Sequence, residues 1–591
     1  MDLCPVQSET AQMGFFDVIW MSSMKALDPG GIDATNGSWP FVFSMLVVTI
    51  GGIFIVSSLI GILTSGLQQS LAELRRGRSY VLEKNHTVIL GGSERVFDII
   101  DELLIANENQ KRAAICVLTE IDKLEMEDQI RARVRRNGQT RIICRNGNPI
   151  DIADIDIVNP QTARSIIVLP APKSQDPDLH VIKTVLALIN DPNRSSRPYH
   201  IVTAINNRKN LDVIGMIGNG DVHALFVGDF VARIISQTAR QPGLSVIYEE
   251  LLSFEGNEIY IENLAALNGR TFAEAVMSFE NSCVIGIRHK NGSIRLNPQR
   301  DVRFASGDKV IVISEDDGLL NFSNPKCDLI NRNAIRRGPN KQQIKPERIL
   351  ILGWNRFGKI LINELCTYVV PNSQIMVAAQ KIESLSAREL QEKDSDKIEI
   401  SFKEGDTTDC GFLTELDIPS YNSVIVLPYL DSLGSQEADA KTLLTLLNLR
   451  KIVKSHDQSL SIVSEMMDAL NRKIATVTQA DDFIVGDKLI SKLLAQVSEN
   501  KELIHIFAEL FSSKGSEIYL RPVENHVELN VPLSFYTIVE SALSQNEIAI
   551  GYRIFAASKD PLRSFGIKIN PSKSELVKYS KGDRIVVLAE N

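Results

Sequence analysis

Two short glycine-bearing turns are the stretches of this sequence best placed to do chemistry. One reads Gly91-Gly92-Ser93-Glu94-Arg95-Val96 and the other Gly353-Trp354-Asn355-Arg356-Phe357-Gly358. Each follows a β-branched run and opens a helical pattern. A dinucleotide-binding turn wants G-x-G-x-x-G, because the glycines allow a tight bend and let backbone N–H groups reach a pyrophosphate at a helix N-terminus. Here Ser93 and Val96 replace the later glycines of the first turn, Glu94 would repel phosphate, and Asn355 replaces the middle glycine of the second. Glu120, after the next apolar run, could hold a ribose, and Gln380 is its counterpart. Gly91, Ser93, Glu120, Gly353 and Gly358 are thus candidates within a degraded motif. The expectation is that NAD or another nucleotide is not bound, and that the turns pack strand against helix. Asp229 and Asp487, each in a Val-Gly-Asp turn, read equally as helix N-caps or as ligands. No H-E-x-x-H, G-x-S-x-G or Walker loop is present, the histidines are scattered, and no two cysteines form C-x-x-C. No enzyme is expected. The net charge of -9 is spread out, with no basic run to suggest a nucleic-acid partner.

The elements that carry these turns come in duplicate. Ser165–Pro170 matches Ser423–Pro428, Phe226–Gln237 matches Ile484–Gln496, Phe254–Ile261 matches Ser512–Leu520, and Ser306–Ser314 matches Lys581–Glu590, in the same order. A repeat of this length is a duplicated domain rather than a solenoid. In the first copy apolar runs at 88–90, 113–118, 165–169 and 200–204 alternate with helical patterns at 96–105 and 179–189. That alternation predicts parallel βαβ units with helices on both faces. Each copy should close with a small α+β module, 258–314 and 517–590.

Ahead of the duplication lies a membrane signal. Ala34–Ala72 contains no Asp, Glu, Lys or Arg, and Phe41–Leu63 is almost wholly apolar. About 20 such residues cross a bilayer as a helix. Trp39 stands where an interfacial anchor belongs, and Arg75, Arg76, Arg78 and Lys84 follow the span, which puts the C-terminal side in the cytoplasm. Leu67, Leu71 and Leu74 lie at i, i+4, i+7, so the helix should continue to about Arg76 as a stiff connector. Before it, the amphipathic Gly14–Leu27 is too short to cross, and Gly30-Gly31 and a polar loop separate the two. Short helix, polar loop, long helix is the order of a re-entrant pore loop and an inner helix.

A pore helix pair followed by two tandem units of this kind resembles the RCK (regulator of K⁺ conductance) architecture. The closer match is to the CASTOR/POLLUX/SYM channel family, carried by Leu74–Glu94, Ile142–Ile155, Ala163–Pro170 and Gln241–Ile261 in family order. The resemblance covers nearly the whole chain. It implies a selectivity filter at Ile32-Asp33-Ala34-Thr35-Asn36, where Asp33 and Asn36 agree with the family pattern and Ile32 and Thr35 depart from it. The potassium-channel T-V-G-Y-G is absent, so the permeant cation, potassium or calcium, stays open. The family often has an aromatic after the first turn glycine, which only Trp354 supplies. It also has at least one transmembrane helix before the pore helix, where this sequence begins, so the sequence is read either as truncated, a channel then requiring an in-frame apolar stretch upstream of Met1, or as a departure from the family. The resemblance further implies a homotetramer in membrane lipid, with eight RCK units in one ring, and Ca²⁺ as its regulatory ligand. The acidic run Glu315-Asp316-Asp317 could supply some oxygens for such an ion, or be a solvated turn.

The expected fold is therefore α/β: a pore loop and inner helix with connector (1–80), a Rossmann-like RCK domain (81–245) with its C-terminal subdomain (246–345), and a second such domain (346–505) with its subdomain (506–591). The expected function is a ligand-gated cation channel. The rival is a membrane-tethered nucleotide-sensing subunit of a separate transporter; a soluble dehydrogenase is a distant third.

Overall fold

The computed structural model describes residues 14–16, 19–20, 23–24, 39–135, 138–171, 176–194, 196–218, 220–316, 318, 320–324, 326–336, 345–381, 398–454, 460–468, 471, 474–475, 482–512 and 515–590. These fall into two compact units, Met1–Ser79 with Asp122–Leu124, and the remainder.

In the first unit one helix dominates, α1 (Trp39–Arg76, 38 residues). Its stretch Val42–Gly66, with a mean hydropathy of 2.5, is long and apolar enough to cross a membrane. The helix reaches Arg76, as the spacing of the leucines predicts. The side chains of Leu67, Leu71 and Leu74 lie outside the described residues, as do Asp33, Ala34, Thr35 and Asn36. Of Gly14–Leu27, the described residues 15–16, 19–20 and 23–24 are helical.

The second unit opens with six parallel strands: β1 (Thr87–Leu90), β2 (Ala114–Thr119), β3 (Arg141–Asn146), β4 (Ser165–Val168), β5 (Ile201–Ile205) and β6 (Val222–Phe226). Their order is β3-β2-β1-β4-β5-β6. Val88 stands opposite both Cys116 and Ile166, and all of β1, β2 and β4 is buried, as helices on both faces require. Helices accompanying them include α2 (Arg95–Ala106), α3 (Pro177–Ile189), α4 (Val227–Arg240) and α5 (Leu244–Leu251). An antiparallel sheet follows, of β7 (Glu258–Glu262), β8 (Ser282–Arg288), β9 (Ile294–Leu296) and β10 (Lys309–Ser314), in the order β7-β10-β8-β9.

The second copy repeats the plan. Strands β11 (Arg348–Leu352), β12 (Ser373–Ala379), β13 (Ile398–Glu404), β14 (Ser423–Val426), β15 (Ser461–Met466) and β16 (Asp482–Val485) run parallel in the order β13-β12-β11-β14-β15-β16. Helices α6 (Gly358–Tyr368), α7 (Ser435–Val453), α8 (Gly486–Glu499) and α9 (Leu503–Leu510) accompany them. The closing sheet pairs β17 (Glu517–Pro522), β22 (Arg584–Ala589), β19 (Ile548–Arg553) and β20 (Ile567–Ile569) in that order, beside the two-stranded β18 (Pro532–Ser534) and β21 (Leu576–Lys578). Both closing sheets carry a register shift at the equivalent place, Ile311/Val312 and Ala549/Gly551.

The copies exchange a helix. The last strand of each parallel sheet leads into a helix that lies on the other copy: α4 packs on α6, β14 and β15, and α8 packs on α2, β4 and β5. Gly228 shows why glycine stands in the Val-Gly-Asp turn, since a Cβ there would meet Ile360 Cδ1 at 2.7 Å. The exchange joins the two halves through one shared hydrophobic core, while the other face of each parallel sheet keeps a core of its own.

Candidate functional site

The two glycine turns fit their strands for a steric reason. Gly91 has φ +113° and Gly353 φ +90°, and a Cβ would lie 2.2 Å from the Leu169 carbonyl oxygen and 2.1 Å from that of Leu427 respectively. Only glycine allows β1 and β11 to leave the sheet so close to the next strand. These glycines thus have a packing role whether or not a ligand approaches.

Beyond the turns the two crevices differ. In the second copy, large side chains of the protein itself line the space. The Trp354 ring packs against Gly358, where a Cβ would meet it at 2.8 Å. Tyr429, nearly buried, accepts from the Gln380 N–H at 3.1 Å and meets Thr407 Oγ1 at 3.1 Å. Lys441 on α7 closes the rim, with Nζ 3.0 Å from Gln380 Oε1 and 5.5 Å from the centre of the Tyr429 ring. Asn355 donates to the Pro428 carbonyl at 3.1 Å, and its Oδ1 accepts from the Phe357 N–H. Glu465, buried beside it, is pushed up to about 7 by burial.

In the first copy the equivalents of Trp354 and Tyr429 are Gly92 and Ala171. Ser93 Oγ is buried without a hydrogen-bond partner, and so are both ring nitrogens of His180 on α3. Burial keeps His180 below its ordinary pKa, against the pull of Glu120. Glu94 is drawn aside into an ion pair with Arg133. Glu120 is exposed at the end of β2. The first crevice therefore brings Gly91, Ser93 and Glu120 to one edge with His180, which sequence reasoning did not single out; its counterpart is Lys441, each two residues after an aspartate, Asp178 or Asp439, that accepts from the backbone after the next strand.

The Val-Gly-Asp aspartates are not N-caps. The cap positions are Phe226 and Val485, whose backbones are extended, and neither offers a side-chain cap. Asp229 and Asp487 lie inside the first turn and pair with arginines: Asp229 with Arg208 at 3.6 Å, Asp487 with Arg95 at 2.6 Å. The Asp487 pair joins α8 to α2 across the two copies. Deeper along the same seam Lys492 meets Glu102 at 2.9 Å, with side chains 6 % and 9 % exposed. On the other seam Arg233 meets Glu364 at 3.3 Å. Glu102 and Glu364 occupy the same place in the two repeats, each an acid in an otherwise apolar helix face.

Among the described residues no group of three or more His, Cys, Asp or Glu side chains is arranged to hold a metal ion. Asp316 is engaged in its own turn, accepting from the Gly318 N–H at 2.9 Å.

Residues 228–328, from the first exchanged helix through the first closing sheet, match the family model described as Castor and Pollux, part of voltage-gated ion channel. The chain is also 28 % identical over 617 residues to the probable ion channel POLLUX of Oryza sativa subsp. japonica, an alignment covering 98 % of this chain. The chain is similar to the Castor and Pollux ion channels over nearly its whole length. It spans 62 % of the length of the rice POLLUX protein. Its fold is that of an RCK gating ring: the structure of the human SLO3 gating ring superposes with TM-score 0.59 at 15 % identity, over 85 % of this chain and 99 % of that one. A GsuK channel bound to NAD aligns with TM-score 0.45 at 16 % identity over 98 % of this chain and 91 % of that one, and the NAD is a property of that protein.

Proposed function

We propose that this Castor and Pollux relative is the pore-lining and ring-forming part of a cation channel in which a cytosolic RCK ring, assembled from four chains, biases the inner helix α1. The observation that carries this reading is the order of parts: a helix able to span a bilayer, then a helix-exchanged tandem of Rossmann units with the gating-ring fold. In this reading the chain divides at about residues 80, 245, 345 and 505, Asp33–Asn36 line the filter, Leu67, Leu71 and Leu74 lie on the connector, and the protein is not an enzyme. Coupling requires that a ligand bind the open and closed rings with different affinity. Ca²⁺ is the ligand to test first, although the described residues of one chain form no cluster of three or more His, Cys, Asp or Glu for it. For a nucleotide the first crevice is the place to test, because it has Gly92 and Ala171 where the second has the bulk of Trp354 and Tyr429.

The experiment is cation flux into liposomes holding the purified chain, with and without Ca²⁺. Flux that changes with Ca²⁺ supports the proposal. Correctly inserted protein that passes no cation under any of these conditions overturns it and favours a regulatory subunit of a separate transporter.

A further inference from the structure

The edge of the first parallel sheet opposite the glycine turn holds a cavity of about 540 Å³. Three parts of the molecule meet there: the loops entering β4 and β5 (Arg164, Arg197–His200), the bend between α8 and α9 of the second copy (Glu499–Glu502), and Lys309 at the start of β10. Its volume is that of a small-molecule site, which typically runs about 300–1,000 Å³.

The charges around it are unbalanced in one direction. Four cations line the cavity, Arg164, Arg197, Lys309 and Lys501, against two carboxylates, Glu499 and Glu502. Both carboxylates are already engaged, Glu499 by Arg164 at 2.5 Å and Glu502 by Arg288 at 2.6 Å. Lys309 stands beside Arg288 in the sheet register, so two like charges are neighbours. Lys501 faces His200 and His223, which offer it no negative partner. Donor and acceptor capacity is also left over. Arg164 spends Nη2 on Glu499 and Thr87, while its Nε is buried with no hydrogen-bond partner. His200 Nε2 is likewise buried and unpartnered. The Tyr199 hydroxyl, on a side chain 8 % exposed, interacts with Gln161 but makes no well-formed hydrogen bond.

From this geometry we infer that the cavity binds a small, multiply charged oxyanion, of the phosphate-ester or pyrophosphate class, held by Lys309, Lys501, Arg197 and Arg164. Guanidinium and ammonium groups around one concave space are the usual means of holding such a group. The ligand would tie the first Rossmann sheet to the α8–α9 bend of the second copy, and so report on the seam where the halves are joined. The inference does not depend on whether the chain conducts, because its readout is binding.

The test is calorimetric titration of inorganic pyrophosphate into the full chain in neutral-lipid nanodiscs. Wild type should show saturable binding, and Lys501→Glu, at an exposed bend, should weaken it roughly tenfold or more, the worth of one charge-assisted contact. Lys309→Gln serves as a second variant in case the first disturbs the bend; either weakens binding while leaving the melting temperature of the ligand-free protein unchanged. A parallel arm offers vesicles containing phosphatidylinositol phosphate. Binding to these alone identifies a lipid head group as the source of the phosphate, and binding to pyrophosphate identifies a soluble one. No binding in either arm, or equal affinity in both variants and wild type, overturns the inference.

Discussion

The ion pair between Glu102 and Lys492 allows the exchanged-helix arrangement to be tested by stability alone. The two side chains are 9 % and 6 % exposed and 2.9 Å apart, and Glu102 also accepts from the Phe254 N–H at 3.0 Å. Lys492→Met removes one charge and leaves the other buried. Breaking such a pair from one side costs about 3–5 kcal/mol, because the remaining ion has lost its solvent and its partner. Unfolding entropy of about 2.1 cal/mol/K per residue gives about 1 kcal/mol/K for a cooperative body of roughly 510 residues. The melting temperature should therefore fall by about 3–5 °C. Adding Glu102→Gln removes the stranded charge yet keeps an acceptor for Phe254, so the double variant should recover most of the loss. Differential scanning fluorimetry at one scan rate, on the full chain in detergent, reads both. A single variant shifted by less than about 1 °C, the size of a surface substitution, would refute the buried seam. A double variant as unstable as the single would show that the cost came from packing and not from charge.

Other outcomes follow from the site and the fold. Asp33→Asn should weaken cation-over-anion selectivity, because four copies would form an anionic ring at the mouth; unchanged reversal potentials in bilayers would remove Asp33 from the pathway. Replacing Leu71–Gly77 by a Gly/Ser linker of equal length should leave ligand binding intact and flatten open probability against ligand concentration; a full response would make this segment a tether only. Gly353→Ala should destabilise the second parallel sheet by about 2 kcal/mol or more, through a positive φ and a carbonyl already 2.1 Å from the added Cβ, and a melting curve like that of wild type would contradict it. Glu465 has its folded pKa raised from 4.5 to about 7, so its burial costs stability as pH rises through that window and costs nothing below it. Glu465→Gln should thus stabilise the protein by about 2–3 kcal/mol at pH 8 and leave it unchanged near pH 4.5; an equal effect at both pH values would show that the carboxyl is not buried in its neutral form.

Much of the fold was legible in the residues. Continuous β-branched runs ending in glycine mark buried parallel strands, and Ser165–Val168 and Ser423–Val426 appear as β4 and β14 where the repeated Val-Leu-Pro runs put them. The helix running to Arg76 follows from an uninterrupted apolar pattern without proline. The exchange of α4 and α8 was not legible, because an amphipathic helix shows which face is buried but not which sheet it covers. The Val-Gly-Asp turns misled for a related reason: an aspartate near a helix start suggests a cap, but here the chain passes straight from strand to helix and the aspartate is spent on an arginine. The two crevices looked alike as degraded motifs. What separates them is the bulk of Trp354 and Tyr429 against Gly92 and Ala171, which pattern matching for glycine does not weigh. Glu102 and Glu364 were visible as acids at one repeat position; their burial depends on partners, Lys492 and Arg233, that arrive from the other half.

The helix exchange also sets a schedule for synthesis. Arg164 beside the first sheet meets Glu499 on α8 across 335 residues of chain. At roughly 5–20 residues per second, a ribosome needs about 20–70 s to deliver α8 after β4 has emerged. Throughout that interval the first sheet has strands and turns but lacks the helix that covers α2, β4 and β5, so an apolar face stays open in the cytosol. A newly made chain of this kind depends on something to shield that face until its own second half arrives, and a stop codon placed between the repeats would yield a sticky fragment rather than a smaller working ring.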